Sequence, residues 1–153
     1  MANTYTQLHV QIVFAPKYRA SLITSSWQED LQKYITGIIQ NNKHKMLCIN
    51  CMPDHLHMLI GLNPVQSLSK LVQETKAGSS GWINKNRFTK GRFEWQEGYG
   101  AFSYSKCDIH SVMNYIEQQQ IHHKKADFKS EYLKLLKEFE IEYKTEFVFA
   151  DPI

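Results

Sequence analysis

The stretch Pro53-Asp54-His55-Leu56-His57-Met58-Leu59-Ile60 has the apolar composition of a buried strand and carries two histidines two positions apart. Successive side chains of a strand point to opposite faces of the sheet. His55 and His57 therefore share one face, and the apolar residues that alternate with them share the other. Two imidazoles side by side on a strand are suitable ligands for one divalent cation. The alternative is that both histidines are ordinary polar residues on the surface of the sheet.

The length of 153 residues is typical of one domain whose core is large enough to fold without disulfides or structural metals. We therefore predict a single domain over residues 1–153. Three cysteines, an odd number, and an N-terminus without the pattern of a secretory signal favour a cytoplasmic protein with reduced thiols. No apolar run in the sequence approaches the roughly 20 residues that a membrane span requires.

The charge of the chain is unevenly distributed, although the net charge is only +3. Between Lys70 and Arg92 there are six lysines and arginines and a single acid, Glu74. A basic stretch of this kind is suited to contact with a polyanion such as a nucleic acid. The alternative is a solvated face without a partner.

Hydrophobic periodicity predicts an alternation of strands and helices. We expect strands over 4–15, 45–52, 55–60 (after a turn at 53–54) and 93–105, and helices over 26–42, from 67 to a bend or an end at 78–81, over 108–123, and over 129–139. Residues 143–149 are expected to form an edge strand or to pack against a partner. Ser26 and Glu29 form a capping-box pattern at the start of the first helix. The first six elements match the β-α-β-β-α-β ferredoxin-like pattern of the α+β class. Such a fold has helices on one face of an antiparallel sheet and an open working face on the other.

The helix predicted from Asp108 carries a second set of polar side chains. Tyr115, Gln119 and His122 are spaced i, i+4 and i+7, so they form one stripe beside the apolar stripe of the helix. A tyrosine hydroxyl and a glutamine amide one turn apart can face the same point at the edge of the core. The alternative is a solvated polar face with a tyrosine at its boundary.

These segments together resemble the single-tyrosine (Y1) HUH transposases of the IS200/IS605 type. The histidine motif HLH at 55–57 is followed by VMNYIEQQ at 112–119 and by the histidine pair at 122–123. Residues 93–103 (FEWQEGYGAFS) look like the segment that precedes the tyrosine helix in that family, and residues 5–18 look like its first strand. The resemblance spans residues 4–125 and adds a tyrosine-bearing helix, C-terminal to the ferredoxin-like sheet.

The resemblance implies a DNA transposase that cleaves and rejoins single-stranded DNA at hairpin-flanked element ends through a 5′-phosphotyrosine intermediate. It assigns the nucleophile to Tyr115 and a Mg²⁺ or Mn²⁺ site to His55, His57 and Gln119, so the protein ligands add no negative charge to the cation. It also implies a homodimer in which the tyrosine helix of one subunit can serve the histidines of the other. The alternative function is a domesticated relative, a module that binds hairpins without cleaving them. Single-tyrosine replication or mobilisation nucleases are a nearby enzymatic alternative, which the absence of a helicase or primase domain disfavours.

Basic side chains are our candidates for contacts with DNA phosphates: Lys17, Arg19, Lys76, Lys85, Arg87, Lys90 and Arg92. Three aromatic residues are candidates for stacking on extruded bases, with a place in the core as the alternative for each: Tyr18, Phe88 and Tyr99.

Two further patterns invite a metal interpretation. Cys48 and Cys51 have the C-x2-C spacing of a zinc site, but residues i and i+3 of a strand point to opposite faces, so we predict buried free thiols. His122 and His123 are available as metal ligands, or alternatively close their helix near two lysines and face DNA.

Overall fold

The computed structural model describes residues 3–122 and 127–144. The strands are β1 (His9–Phe14), β2 (Lys45–Met52), β3 (His55–Gly61) and β4 (Gly100–Tyr104). The helices are α1 (Ser25–Asn41), α2 (Leu68–Lys85), α3 (Ile109–Glu117), α4 (Gln119–His122) and α5 (Phe128–Glu138), with single 3₁₀ turns at Lys17–Arg19 and Lys106–Asp108. None of the helices in these described ranges is long and apolar enough to cross a membrane.

The four strands form one antiparallel sheet in the order β2-β3-β1-β4. This is the order that the β-α-β-β-α-β connection produces, so the predicted α+β, ferredoxin-like class is confirmed. The histidine strand β3 lies in the interior of the sheet, where β1 pairs it on one side and β2 on the other. In this register His57 is the partner of Val13 on β1 and of Asn50 on β2.

One face of the sheet packs against α1 and α2 and holds the larger apolar core. Leu56, Met58 and Ile60 of β3 contribute to it and are fully buried. Helix α1 places its buried residues at helical spacing against this face: Trp27, Leu31, Ile35 and Ile39. Burial of each such side chain stabilises the fold by about 1.5–3 kcal/mol.

The opposite face of the sheet is also covered by helices, so the prediction of an open working face is wrong. Leu59 of β3 packs with Val112 and Ile116 of α3, and Val13 of β1 packs in a cluster with residues of α5. The reason lies in the strands themselves, because β1 and β3 carry apolar side chains on both faces. Strands of that composition are stable only when both faces are covered.

Several predicted boundaries also differ from the structure. Helix α1 begins at Ser25 with Thr24 as its N-cap residue, so the Ser26 capping box is wrong. Helix α2 continues without a break through 78–81, where Gly78 lets the terminal methyl of Ile38 approach closely. Only the last part of the predicted strand 93–105 is a strand, because the Asn84 side chain holds the backbone N–H and C=O of Phe93 instead.

The region after β4 differs in the same way. The helix predicted over 108–123 is divided at Gln118, whose φ of −95° and ψ of 17° end α3. The last predicted helix is present as α5. The predicted tail strand at 143–149 lies mostly outside the described residues.

Candidate active site

The two histidines of β3 are fully buried, which excludes the interpretation that they are surface residues. Each ring uses its Nδ1 atom to contact an oxygen: Asp54 Oδ1 lies 2.7 Å from Nδ1 of His55, and Gln11 Oε1 lies 2.7 Å from Nδ1 of His57. An oxygen acceptor at Nδ1 favours the tautomer that leaves the Nε2 lone pair for another partner. Both Nε2 atoms face the layer of α3, α4 and α5.

Gln11 of β1 orients His57, and the sequence analysis did not identify it. Its Oε1 accepts from the His57 ring, while its Nε2 donates to the Tyr104 hydroxyl over 2.7 Å. Gln11 is 1% exposed, so its amide is committed to these two partners. Burial raises the pKa of Tyr104 to about 12, and the phenol stays protonated. The sequence did contain a signal for this role, because Gln11 is a polar residue inside an apolar strand, on the same face as Val13.

Tyr115 lies on α3 with its ring edge toward His57, at 5.9 Å between ring centroids and an interplanar angle of 90°. Its hydroxyl donates a hydrogen bond to the carboxylate of Glu131. Burial, and secondly that hydrogen bond, raise the pKa of Tyr115 well above its usual value. The phenol is therefore neutral at physiological pH.

Gln119 opens α4 and is fully buried, with its Oε1 3.3 Å from Nε2 of His55. Its Nε2 lies 3.3 Å from the backbone carbonyl of Tyr115, one turn earlier. The predicted convergence of the tyrosine and glutamine is thus present, although the helix is divided between them. The structure brings together all four residues that the resemblance assigned to the site: His55, His57, Tyr115 and Gln119.

A carboxylate that the sequence analysis missed completes the cluster. Glu131 of α5 is 9% exposed, and its Oε1 lies 3.1 Å from both His57 Nε2 and Gln119 Nε2. The donor atoms of His55, His57 and Glu131 all lie within 4.8 Å of one another, so these residues form a possible metal site. The expectation that the protein brings no negative charge to this site is wrong. No signal in the sequence distinguished Glu131, because it reads as the polar side of an amphipathic helix.

Helix α5 also covers the site with an aromatic ring. Phe128 stacks on His55 with ring centroids 4.1 Å apart and planes within 6°. Beside this contact, a cavity of about 620 Å³ between β4, α3 and α5 reaches Tyr115 and Glu131. The polar residues of its lining are Gln11, Ser103, Tyr104, Ser105, Asp108, Ser111, Lys134 and Glu138.

The predicted DNA-contact residues lie outside this cluster. Those at the end of α2 and in the following loop are exposed: Lys85, Arg87, Lys90 and Arg92. Lys17 pairs with Glu94 at 3.2 Å and is half exposed. Lys76 donates to the backbone carbonyls of Gln96 and Gly98, and these hydrogen bonds give it a structural role. Burial lowers the pKa of Lys76 to about 8. The side chains of Arg19 and His122, and all of His123, lie outside the part that the structure describes.

The remaining sequence candidates belong mainly to the scaffold. Phe88 stacks on Trp27 at 5.2 Å and packs against the α1/α2 core, whereas Tyr99 is exposed and Tyr18 half-buried. Cys51 points into that core, while Cys48 packs against the α3 cluster on the other face. The two side chains lie on opposite faces of the sheet, so they do not share a zinc ion, and neither forms a disulfide; Cys51 is buried as predicted, whereas Cys48 is only partly buried.

Comparison with known proteins places this architecture among transposases. A family model described as "Transposase IS200 like" matches residues 4–119. The ISDra2 transposase TnpA of Deinococcus radiodurans is 24% identical over 119 residues, covering 74% of this chain and 84% of that protein. The transposase of insertion element IS200 from Salmonella typhimurium is 26% identical over 125 residues, covering 78% and 81%.

Two solved structures share the fold. A putative transposase from Deinococcus radiodurans superposes with a TM-score of 0.63 at 22% identity, covering 78% of this chain and 95% of that one. A REP-associated tyrosine transposase bound to a REP hairpin superposes with a TM-score of 0.59 at 16% identity, covering 80% and 73%.

Proposed function

The chain belongs to the IS200-like transposase family, and we propose that it cleaves and rejoins single-stranded DNA at hairpin-flanked ends of a mobile element. In this proposal Tyr115 is the nucleophile and forms a covalent 5′-phosphotyrosine bond. The observation that supports it most is the position of Tyr115, whose ring packs against buried His57 and whose hydroxyl donates to the Glu131 carboxylate that also contacts His57 Nε2. The REP-bound relative supports hairpin DNA as the substrate class.

The chemistry is a transesterification at phosphorus. The Tyr115 oxygen bonds to the phosphorus as the bond from phosphorus to the 3′-oxygen breaks, which leaves a free 3′-hydroxyl. The phenol proton passes to solvent in the cavity that reaches Tyr115, and the departing 3′-oxygen takes a proton from solvent. Because the phosphotyrosine keeps the energy of the phosphodiester, the 3′-hydroxyl of another strand can reverse the step and rejoin DNA.

The donor atoms of the site suit a divalent cation. His55 and His57 offer imidazole nitrogens and Gln119 offers an amide oxygen, all buried and fixed by neighbouring hydrogen bonds. We propose that these residues hold Mg²⁺ or Mn²⁺. When bound, the cation polarises a phosphate oxygen and offsets the charge that develops during the displacement.

The cavity between β4, α3 and α5 is the proposed route by which a phosphate reaches Tyr115. Its lining includes three carboxylates, on Asp108, Glu131 and Glu138, against one ammonium, on Lys134. A phosphodiester entering this space would be repelled unless a cation compensates, because like charges at short range are unfavourable. The charge of the cavity therefore supports a cation-dependent reaction.

Outside the cavity, we propose that exposed basic residues follow the DNA backbone: Lys17, Arg19, Lys85, Arg87, Lys90 and Arg92. Lys76 was also predicted to contact DNA, but its hydrogen bonds to loop carbonyls disfavour that role. The homodimer implied by the resemblance also belongs to this proposal. One chain already holds its own tyrosine beside its own histidines, so an exchange between subunits is not needed to assemble the groups.

The proposal is tested with labelled single-stranded hairpin DNA from the flanks of the gene, with and without Mn²⁺, on a denaturing gel. We expect a protease-sensitive adduct that requires Mn²⁺ and is absent in Tyr115→Phe, which lacks the attacking oxygen but keeps the ring. Tyr34→Phe is the matched control, because Tyr34 stacks on Trp82 on the far side of the sheet. This control should form the adduct at the wild-type level.

Hairpin affinity, measured by mobility shift, should be nearly the same in Tyr115→Phe and the wild type. An undiminished adduct in Tyr115→Phe would remove this residue as the nucleophile. Hairpin binding without any adduct, across several cations and flank sequences, would instead identify a binding module without nuclease activity.

A further inference from the structure

The carboxylate of Glu131 lies beyond residue 119, where the match to the family ends. Yet its Oε1 contacts three groups of the site: Nε2 of His57 and Nε2 of Gln119, each at 3.1 Å, and the Tyr115 hydroxyl. The side chain is only 9% exposed. Its helix begins with Asp127 as a side-chain N-cap and continues through the apolar contacts of Leu135 and Leu136, so its position is set by packing.

A buried carboxylate is costly unless positive charge or strong hydrogen bonds compensate it. Its contacts include a phenol, an amide and an imidazole. The Nδ1 atoms of His55 and His57 face the oxygens of Asp54 and Gln11, so the Nε2 atom of each ring is the one that faces the cluster. A divalent cation at this point can be bonded by the carboxylate and both rings together.

The spacing of the donor atoms fits a common cation. Ligands bonded at about 2.1 Å to one ion lie about 3–4.2 Å apart in octahedral geometry. Nε2 of His57 and Oε1 of Glu131 are 3.1 Å apart, and all three donors lie within 4.8 Å. These separations are close to those that a single ion requires of its ligands.

We propose that Glu131 is a protein ligand of the cation, so that the metal centre is formed by His55, His57 and Glu131 together with Gln119. The inference rests on the proposed function, because the cation is the one that serves DNA cleavage. A carboxylate raises the affinity of the site for hard cations such as Mg²⁺ and Mn²⁺. It also links α5 to the sheet through the metal, so binding of the cation stabilises the docked helix.

The test is direct Mn²⁺ binding to the full chain without DNA, by titration calorimetry and by the electron paramagnetic resonance signal of free Mn²⁺. Glu131→Gln keeps the shape of the side chain and removes its charge, and we expect its affinity to fall about tenfold or more. Glu140→Gln is the matched control, since it removes one charge from an exposed position two residues after the end of the same helix and outside the cavity. Its affinity should stay within about twofold of the wild type.

A second readout follows the helix itself. Mn²⁺ should slow amide hydrogen exchange over 128–138 in the wild type and in Glu140→Gln, but not in Glu131→Gln. Glu131→Asp, which keeps the charge on a shorter side chain, should recover part of the affinity. The unfolding temperature of each variant without Mn²⁺ identifies any variant that has lost its fold.

The outcomes separate this inference from the proposed function. If Glu131→Gln binds Mn²⁺ as tightly as the wild type, the ligand role of Glu131 is overturned while the histidine pair and the nuclease proposal stand. If the wild type binds no Mn²⁺, the metal centre fails as a whole. If Mn²⁺ binding depends on Glu131 but no tyrosine adduct forms on hairpin DNA, it is the proposed reaction that fails.

Discussion

The two faces of strand β3 are stabilised in different ways. On the α1/α2 face, Leu56, Met58 and Ile60 enter a core made of apolar side chains. On the α3/α5 face, His55 and His57 are equally buried, but each is held by hydrogen bonds to specific groups. The first face needs side chains of suitable volume, whereas the second needs particular atoms in particular places.

The difference extends to the origin of the partners. The apolar face uses helices that repeat a simple periodicity, so many residues share its stabilisation. The polar face collects single residues from separate parts of the chain: Gln11, Asp54, Tyr115, Gln119 and Glu131. A change at one of these positions removes an interaction that no neighbour replaces, so the polar face should be more sensitive in function than in stability.

The largest effect on stability is expected from a pair of substitutions on the two faces of β3. Leu56→Ala should lower the free energy of unfolding by about 2–5 kcal/mol, because it leaves a cavity in the apolar core. His57→Asn should cost less, about 1–2 kcal/mol, because the asparagine amide can still donate to Gln11. Urea unfolding with and without Mn²⁺ measures both.

The response to the cation should show the opposite order. Leu56→Ala keeps the Mn²⁺-dependent rise in stability, and His57→Asn loses it. If the asparagine variant lost as much stability as Leu56→Ala and still responded to Mn²⁺, His57 would be a core residue and not a ligand.

An intermediate effect on stability is expected at two glycines, Gly100 on β4 beneath α5 and Gly78 within α2. A Cβ atom at Gly100 would lie 2.8 Å from the ring and hydroxyl of Tyr132 on α5, so Gly100→Ala must displace that ring and loosen its contact with the sheet. The cost of such overpacking is about 1–3 kcal/mol. A Cβ atom at Gly78 would meet only the terminal methyl of Ile38 at 3.0 Å. Gly78→Ala also gains about 1 kcal/mol of helix propensity, so its net effect should be close to zero.

Hydrogen exchange localises the difference between the glycine variants. Gly100→Ala should speed exchange over 128–138 and leave the central strands unchanged, while Gly78→Ala should change neither region. A neutral Gly100→Ala would mean that α5 docks less tightly than the contacts of Tyr132 indicate.

Local spacing was sufficient to predict much of the fold and part of the site. The alternation in β3 placed both histidines on one face, and the i, i+4 spacing of Tyr115 and Gln119 placed them together. These relations depend on residues close in sequence, where the geometry of a strand or helix fixes which side chains are neighbours. The resemblance then joined the two segments into one site.

Long-range partners were beyond the same reasoning. Glu131 and Phe128 reach the histidines only because α5 folds back over the sheet, and a polar position on an amphipathic helix gives no sign of that. Gln11 appeared as one polar residue in an alternating strand. The covered second face was missed because Val13 and Leu59 were not weighed as apolar groups that need a cover.

The last prediction uses the unsubstituted protein and concerns the order in which its cysteines are alkylated, above all the two cysteines of β2. Cys48 lies partly buried against the α3 cluster, where burial raises its pKa to about 11, and Cys51 is fully buried in the α1/α2 core. Exposed Cys107 should react first with iodoacetamide at pH 8, because alkylation needs access and a thiolate.

Cys48 should follow slowly, since a thiol of pKa about 11 is ionised at roughly one part in a thousand at pH 8. Cys51 should react only on global unfolding, and peptide mass spectrometry gives the order. Labelling of Cys51 before Cys48 would show that the α1/α2 core opens before the layer of α3 and α5. That order would contradict the expectation that Cys51 becomes accessible only on global unfolding.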